Sequence, residues 1–238
     1  MFLARAGRLA EAQVSAQRGL ALAPGNPNIQ WNLALVHFRI GDYVALLDGH
    51  LRGLGLLGLG RIEEVASEGE KYLKVVRDTY AVYFQLNALS LAGRHEEVLA
   101  FYDRRWRGDP AAVAGRFRFW LDSIEFVPMA AAQWAAGHHD DLAATLNVWS
   151  ERLGFMRQQG YANPDFSFTR ACFQSLNSEP EAALATLTDA IDQGYRNPLL
   201  AREPAFAPLH GDPDFQAQVE RMTQLINAER EKLGMPPL

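Results

Sequence analysis

The sequence is short of the residues on which most site chemistry depends. One cysteine, Cys172, among 238 residues excludes an intrachain disulfide and fits a reducing compartment. No window approaches eighteen consecutive apolar residues, so no segment reads as a membrane span. Charges enter the first stretch at Arg5 and Arg8, too early for the apolar core of a secretory leader. Alternating runs of branched residues bounded by turn pairs are missing, which removes strand signals. Lysine is scarce beside arginine and carries no functional message. A net charge of −5 and a pI near 5.7 argue against general affinity for nucleic acid or anionic membranes. These absences describe a soluble cytoplasmic chain with no membrane partner.

What is present is helical periodicity and a recurring corner. An apolar fraction of 48% and a charged fraction of 21% are those of a globular chain able to bury a core. Periodicity predicts helices over 9–22, 28–40, 62–76, 79–92, 95–107, 139–158, 165–177, 180–193 and 213–233. A longer one over 111–136 should be kinked or split at Pro128. Between helices one shape returns: AGRLAEA at Gly7, IGDYVAL at Gly41, LGRIEEV at Gly60, LAGRHEEV at Gly93, AGHHDDL at Gly137 and NSEPEAAL at Ser178. Gly7 to Gly41 is 34 residues and Gly60 to Gly93 is 33. The small residue that lets paired helices cross closely is Ala12 in the first unit and Ala183 in the last. Pro24 and Pro110 stand where a second helix should stop.

On these residues the chain resembles the tetratricopeptide repeat family over roughly 1–195, with a period close to its ~34 residues. The resemblance implies an all-α, right-handed superhelical solenoid of degenerate helical hairpins. Residues 196–238 would form a capping segment packed on the array, the whole being a single domain. That tail resembles the closing segment of bacterial arrays linked to nucleotide cyclases, kinases and winged-helix regulators. It shares Gly194-Tyr195, a Pro204-x-Phe206-x-x-Leu209 hook and Asp212-Pro213-x-Phe215 entering a last helix, with Asp212 as its N-cap. Gly41 to Gly60 is only 19 residues, so either one helix is lost there or 42–48 is a connection that preserves the alternation. Both remain open.

The resemblance implies a non-catalytic scaffold that takes a protein, a peptide or a partner helix in a concave groove. Asn28, Trp31 and Arg39 would line it from one repeat, and Tyr80, Tyr83 and Asn87 from another. The alternative is a regulatory or sensor segment of a larger bacterial signalling protein whose output domain is absent here. The first hairpin is cut short, so the stripe Leu9, Val14 and Leu20 is expected to be exposed and to invite self-association or a preceding segment.

No enzyme signature, cofactor or metal is expected. Gly53-x-Gly55-x-x-Gly58 spells a dinucleotide fingerprint but lacks the strand-to-helix context, so close helix packing explains it better. His138-His139-Asp140-Asp141 occupies a corner where acids favour the helix N-terminus, and adjacent residues there cannot converge on one metal. Glu63-Glu64 and Glu96-Glu97 fill the same slot. Cys172 on an apolar helix reads as core filling. The most suggestive patch is Arg104, Arg105, Arg107, Arg116 and Arg118 among Trp106, Phe117, Phe119 and Trp120. It would suit an acidic peptide, a phosphate group or single-stranded nucleic acid, while the bland reading makes Val113, Phe117, Trp120, Leu121 and Ile124 a core stripe with the arginines on the wet side.

Overall fold

The computed structural model describes residues 2–49, 51–67, 79–116 and 124–238, and among them every regular element is helical. In order these are α1 Phe2–Arg5, α2 Leu9–Leu22, α3 Pro27–Ile40, a 3-10 turn Val44–Leu46, α4 Arg52–Gly58 and α5 over 62–67. Then follow α6 Thr79–Leu91, α7 His95–Trp106, α8 Pro110–Arg116, α9 Phe126–Ala135, α10 His139–Gln158, α11 Pro164–Leu176 and α12 Pro180–Asp192. Two 3-10 turns, Leu200–Arg202 and Pro204–Leu209, lead to α13, Pro213–Lys232.

The recurring corner has one backbone solution. Gly7, Gly41, Gly60, Gly93 and Gly137 all take a left-handed φ between 71° and 75°, and Ser178 takes the same region at 61°. That conformation is nearly free for glycine and strained for any residue with a Cβ. After three of the corners an arginine pairs with the glutamate one turn on: Arg8 with Glu11, Arg61 with Glu64 and Arg94 with Glu97. At Gly137 the weaker analogue is His138 Nδ1, 3.7 Å from Asp141 Oδ2. These exposed pairs sit over the first helical turn, where the acids also face the helix dipole.

The short interval 42–59 is not one helix. The second half of the hairpin after Gly41 shrinks to the 3-10 turn Val44–Leu46, and α4 then starts the next pair before Gly60. Across this interval the alternation of first and second elements is kept, whereas farther on α8 stands as an extra element between α7 and α9. The three glycines of α4 are packing devices. A Cβ on Gly53 would lie 2.5 Å from Gln85 Oε1 on α6, one on Gly55 would lie 2.8 Å from the Tyr43 carbonyl oxygen, and one on Gly58 would enter the Tyr43 ring.

The predicted helix 111–136 is two elements, with α8 ending its described part at Arg116 and α9 beginning at Phe126. Pro128 lies in the first turn of α9, where a backbone N–H has no intrahelical acceptor to lose. α9 is apolar on nearly every side, FVPMAAAQWA, and eight of its residues from Phe126 to Gln133 are buried. A helix without a polar face belongs in the middle of a protein. α9 sits there, touching α6, α7, α10, α11 and the turn Pro204–Leu209.

The two ends of the chain meet. α13 packs on α12 and also on α2 and α3. The Ala10 amide donates to Glu229 Oε2 at 2.9 Å, and Arg230 Nη1 donates to the carbonyl of Ile40 at 2.7 Å. Ala4, Leu9, Ala12, Val36 and Ile40 form a small core that Leu233 and Met235 help to close. The expected exposed stripe is thus corrected at its centre, because Leu9 is fully buried beneath the chain's own C-terminus, whereas Val14 is exposed and Leu20 half-buried. In an open solenoid each repeat touches only its neighbours. Here the first hairpin touches the last helix.

Candidate functional site

Of the predicted groove residues, two lie on a shared face and two are turned inward. Asn28 is exposed on the first turn of α3, which starts at Pro27 beneath the Asn26 cap. Trp31, one turn on, is half-buried and meets Phe84 of α6 edge to face, ring centroids 5.4 Å apart. That contact brings the second turn of α3 to the second turn of α6. Tyr80 and Tyr83 belong to the first and second turns of α6, and their side chains lie outside the described residues.

Arg39 and Asn87 are not groove residues. Arg39 is 8% exposed, because its guanidinium pairs with Asp165 of α11 and donates to the Ala4 carbonyl at 3.1 Å. Asp165 also receives Arg5 Nε at 3.1 Å. Asn87 is equally buried, with Oδ1 lacking a hydrogen-bond partner. Helical position gave both residues a polar type and a face, and the closure of the chain ends and the packing of α6 against α9 then covered them.

The arginine patch is described in part. Arg104, Arg105 and Arg107 are exposed at the end of α7, where positive charge complements the helix terminus. Arg105 lies over the Trp106 ring at 5.5 Å, and Arg107 itself adopts the left-handed φ of 56° that ends the helix. The Arg116 side chain and all of Arg118 fall outside the described residues, as do Phe117 and Trp120 of the bland reading. Val113 of that stripe is fully buried.

A second region gathers around the apolar hook of the tail, in which only Glu203 escaped the sequence reading. The turn Pro204–Leu209 lies against α9 and α11, the helices that precede the Gly137 and Ser178 corners. Its Phe206 is fully buried, 5.9 Å from Phe168 of α11 and 5.4 Å from Phe215 of α13. Phe168 in turn stacks on Tyr195 at 4.2 Å, and the Arg39 guanidinium stands 5.7 Å from the Tyr195 ring centre. Gly194 precedes Tyr195 because a Cβ there would lie 2.4 Å from the Arg5 carbonyl oxygen. The Gly-aromatic pair therefore joins the last hairpin to the first.

At the start of this turn stands Glu203, 2% exposed, with no hydrogen-bond partner at Oε1. Burial pushes its carboxyl up to about 7, and the Ala205 amide offsets only part of that push. The thiol of Cys172 and the phenol of Tyr195 are raised by burial first and by the nearby Glu203 charge in addition. A raised thiol is a poor nucleophile, which agrees with Cys172 as core filling. The signal for Glu203 in the sequence was a lone acid between Arg202 and the apolar hook Pro204-Ala205-Phe206.

The remaining motifs stay dispersed. His138 and Asp141 are exposed on one corner, and no cluster of three or more His, Cys, Asp or Glu suited to a metal occurs among the described residues. No helix among them is long and apolar enough to cross a membrane. Comparison with protein-family models, with curated proteins and with solved structures returns no match.

Proposed function

We propose that the chain is a non-catalytic interaction scaffold built from degenerate tetratricopeptide-like hairpins. It takes a peptide or partner helix across the N-terminal ends of α3 and α6, with Asn28, Trp31, Tyr80 and Tyr83 as contacts. The Trp31–Phe84 contact carries this reading, since it brings α3 and α6 together near their N-terminal ends. The left-handed corners between successive helices support the hairpin architecture. A lone, buried thiol suits the cytoplasm.

The test is a pull-down from native lysate with the wild type and with Asn28→Ala, Tyr80→Ala and Tyr83→Ala, each checked for an unchanged melting curve. A protein retained by the wild type and lost from these variants supports the face. Equal retention by all of them rejects it.

A further inference from the structure

Within the C-terminal segment one turn reaches back to cover two earlier helices, α9 and α11. Pro204–Leu209 is seated on α9 and α11 by Phe206, and its anchor ring bridges Phe168 on one side and Phe215 on the other. Short 3-10 turns have poorer hydrogen-bond geometry than α-helices, so side-chain insertion holds this one down. The side chain at its entry is a buried acid with an oxygen that nothing satisfies, which is costly when ionised.

We propose that residues 203–209 form a pH-sensitive latch: with Glu203 neutral the turn stays seated across α9 and α11, and ionisation of Glu203 loosens it and uncovers the strip around Phe168 and Cys172. The latch stands or falls independently of what the α3–α6 face binds.

Among the described residues no cation pairs with the acid, and the nearby Arg39 stands over the Tyr195 ring and pairs with Asp165. α11 presents Cys172 to it, with Asp165 farther along beside Tyr195, while Arg170 reaches toward Thr186 of α12. α9 carries no titratable side chain from Phe126 to Ala135, and Glu125 just before it is another acid. From the loop after α12 come Tyr195, whose phenol the Glu203 charge raises, and Arg196, which spends Nη1 on the carbonyls of Ile191 and Tyr195. Arg202 flanks the segment, and His210, which follows it, packs on Phe215. Among the described residues none forms an ion pair with Glu203. A neutral carboxyl is therefore the form that the closed seat favours, and opening becomes easier as pH rises from 4.5 toward about 7.

Cys172, the only cysteine, is fully buried on α11, one turn past Phe168 and within reach of the Glu203 charge, and is the reporter. We would measure its labelling by dithiodipyridine on the full chain from pH 5 to pH 8, in the wild type and in Glu203→Gln, and follow the ratio of the two rates so that thiol ionisation cancels. The ratio should climb by tens of fold, roughly, up to pH 7 and then level off. Phe206→Ala should speed labelling at every pH while keeping that climb. The urea dependence of labelling should be shallower than that of global unfolding, as local opening requires. A ratio that stays flat with pH, or labelling with the full urea dependence of unfolding, overturns the latch.

Discussion

Arg39 and Asp165, 126 positions apart, form an ion pair that ties the last turn of α3 to the first turn of α11. The same carboxylate also receives Arg5, so one acid holds two elements of the N-terminal region. Both partners of the Arg39 pair are mostly shielded from water, and removing one leaves the other uncompensated. Asp165→Ala should cost about 3 kcal/mol in chemical denaturation. Arg39→Met combined with Asp165→Leu should cost clearly less than the sum of the two single changes, as a double-mutant cycle would show.

The corners make opposite predictions at two positions. Ser178 pays for a left-handed backbone that the other five corners give to glycine. Ser178→Gly should therefore stabilise the chain by about 1 kcal/mol. Gly93→Ala, where a Cβ meets nothing within 4 Å, should destabilise by a similar amount through the backbone alone. Thermal melts of the two variants read both signs.

Two helical glycines separate packing from propensity. A Cβ on Gly58 would stand 2.3 Å from the Tyr43 ring, so Gly58→Ala should cost about 1–3 kcal/mol by overpacking. Gly154 lies within α10 with nothing near a Cβ, so Gly154→Ala should gain about 0.5–1 kcal/mol. Urea midpoints at constant slope would verify the pair.

Global stability should carry the signature of Glu203. Its folded value, raised from 4.5 to about 7, means that the contribution of the neutral carboxyl is complete below pH 4.5 and lost as pH rises through 7. The full span corresponds to about 3 kcal/mol. Glu203→Gln should flatten that part of the stability–pH curve and be the more stable form at pH 8.

Much of the fold was legible because local chemistry agreed with the final packing. α10 and α11–α13 follow the predicted boundaries to within one residue, and Asp212 caps α13 by accepting from the Asp214 amide at 2.8 Å. The glycine corners needed only their neighbours to be read. What escaped depends on residues far apart in the chain. Nothing local to Arg39 announces Asp165, nothing local to Leu9 announces Leu233, and nothing in Pro204–Leu209 says that it will lie on α9. The 42–59 segment was ambiguous because seven helical residues with three glycines carry too little periodicity to mark an element. Type and helical spacing selected Asn28, Trp31, Arg39 and Asn87 alike, and the fold leaves Asn28 exposed and Trp31 half-buried while it buries the other two.

The central claim is that the hairpin array closes on itself through α13. Small-angle scattering of the monomer tests this most directly. A closed body of this length should have a radius of gyration of about 18 Å. A value above about 24 Å with an elongated distance distribution would mean that the first hairpin and the last helix do not meet, and would contradict the account.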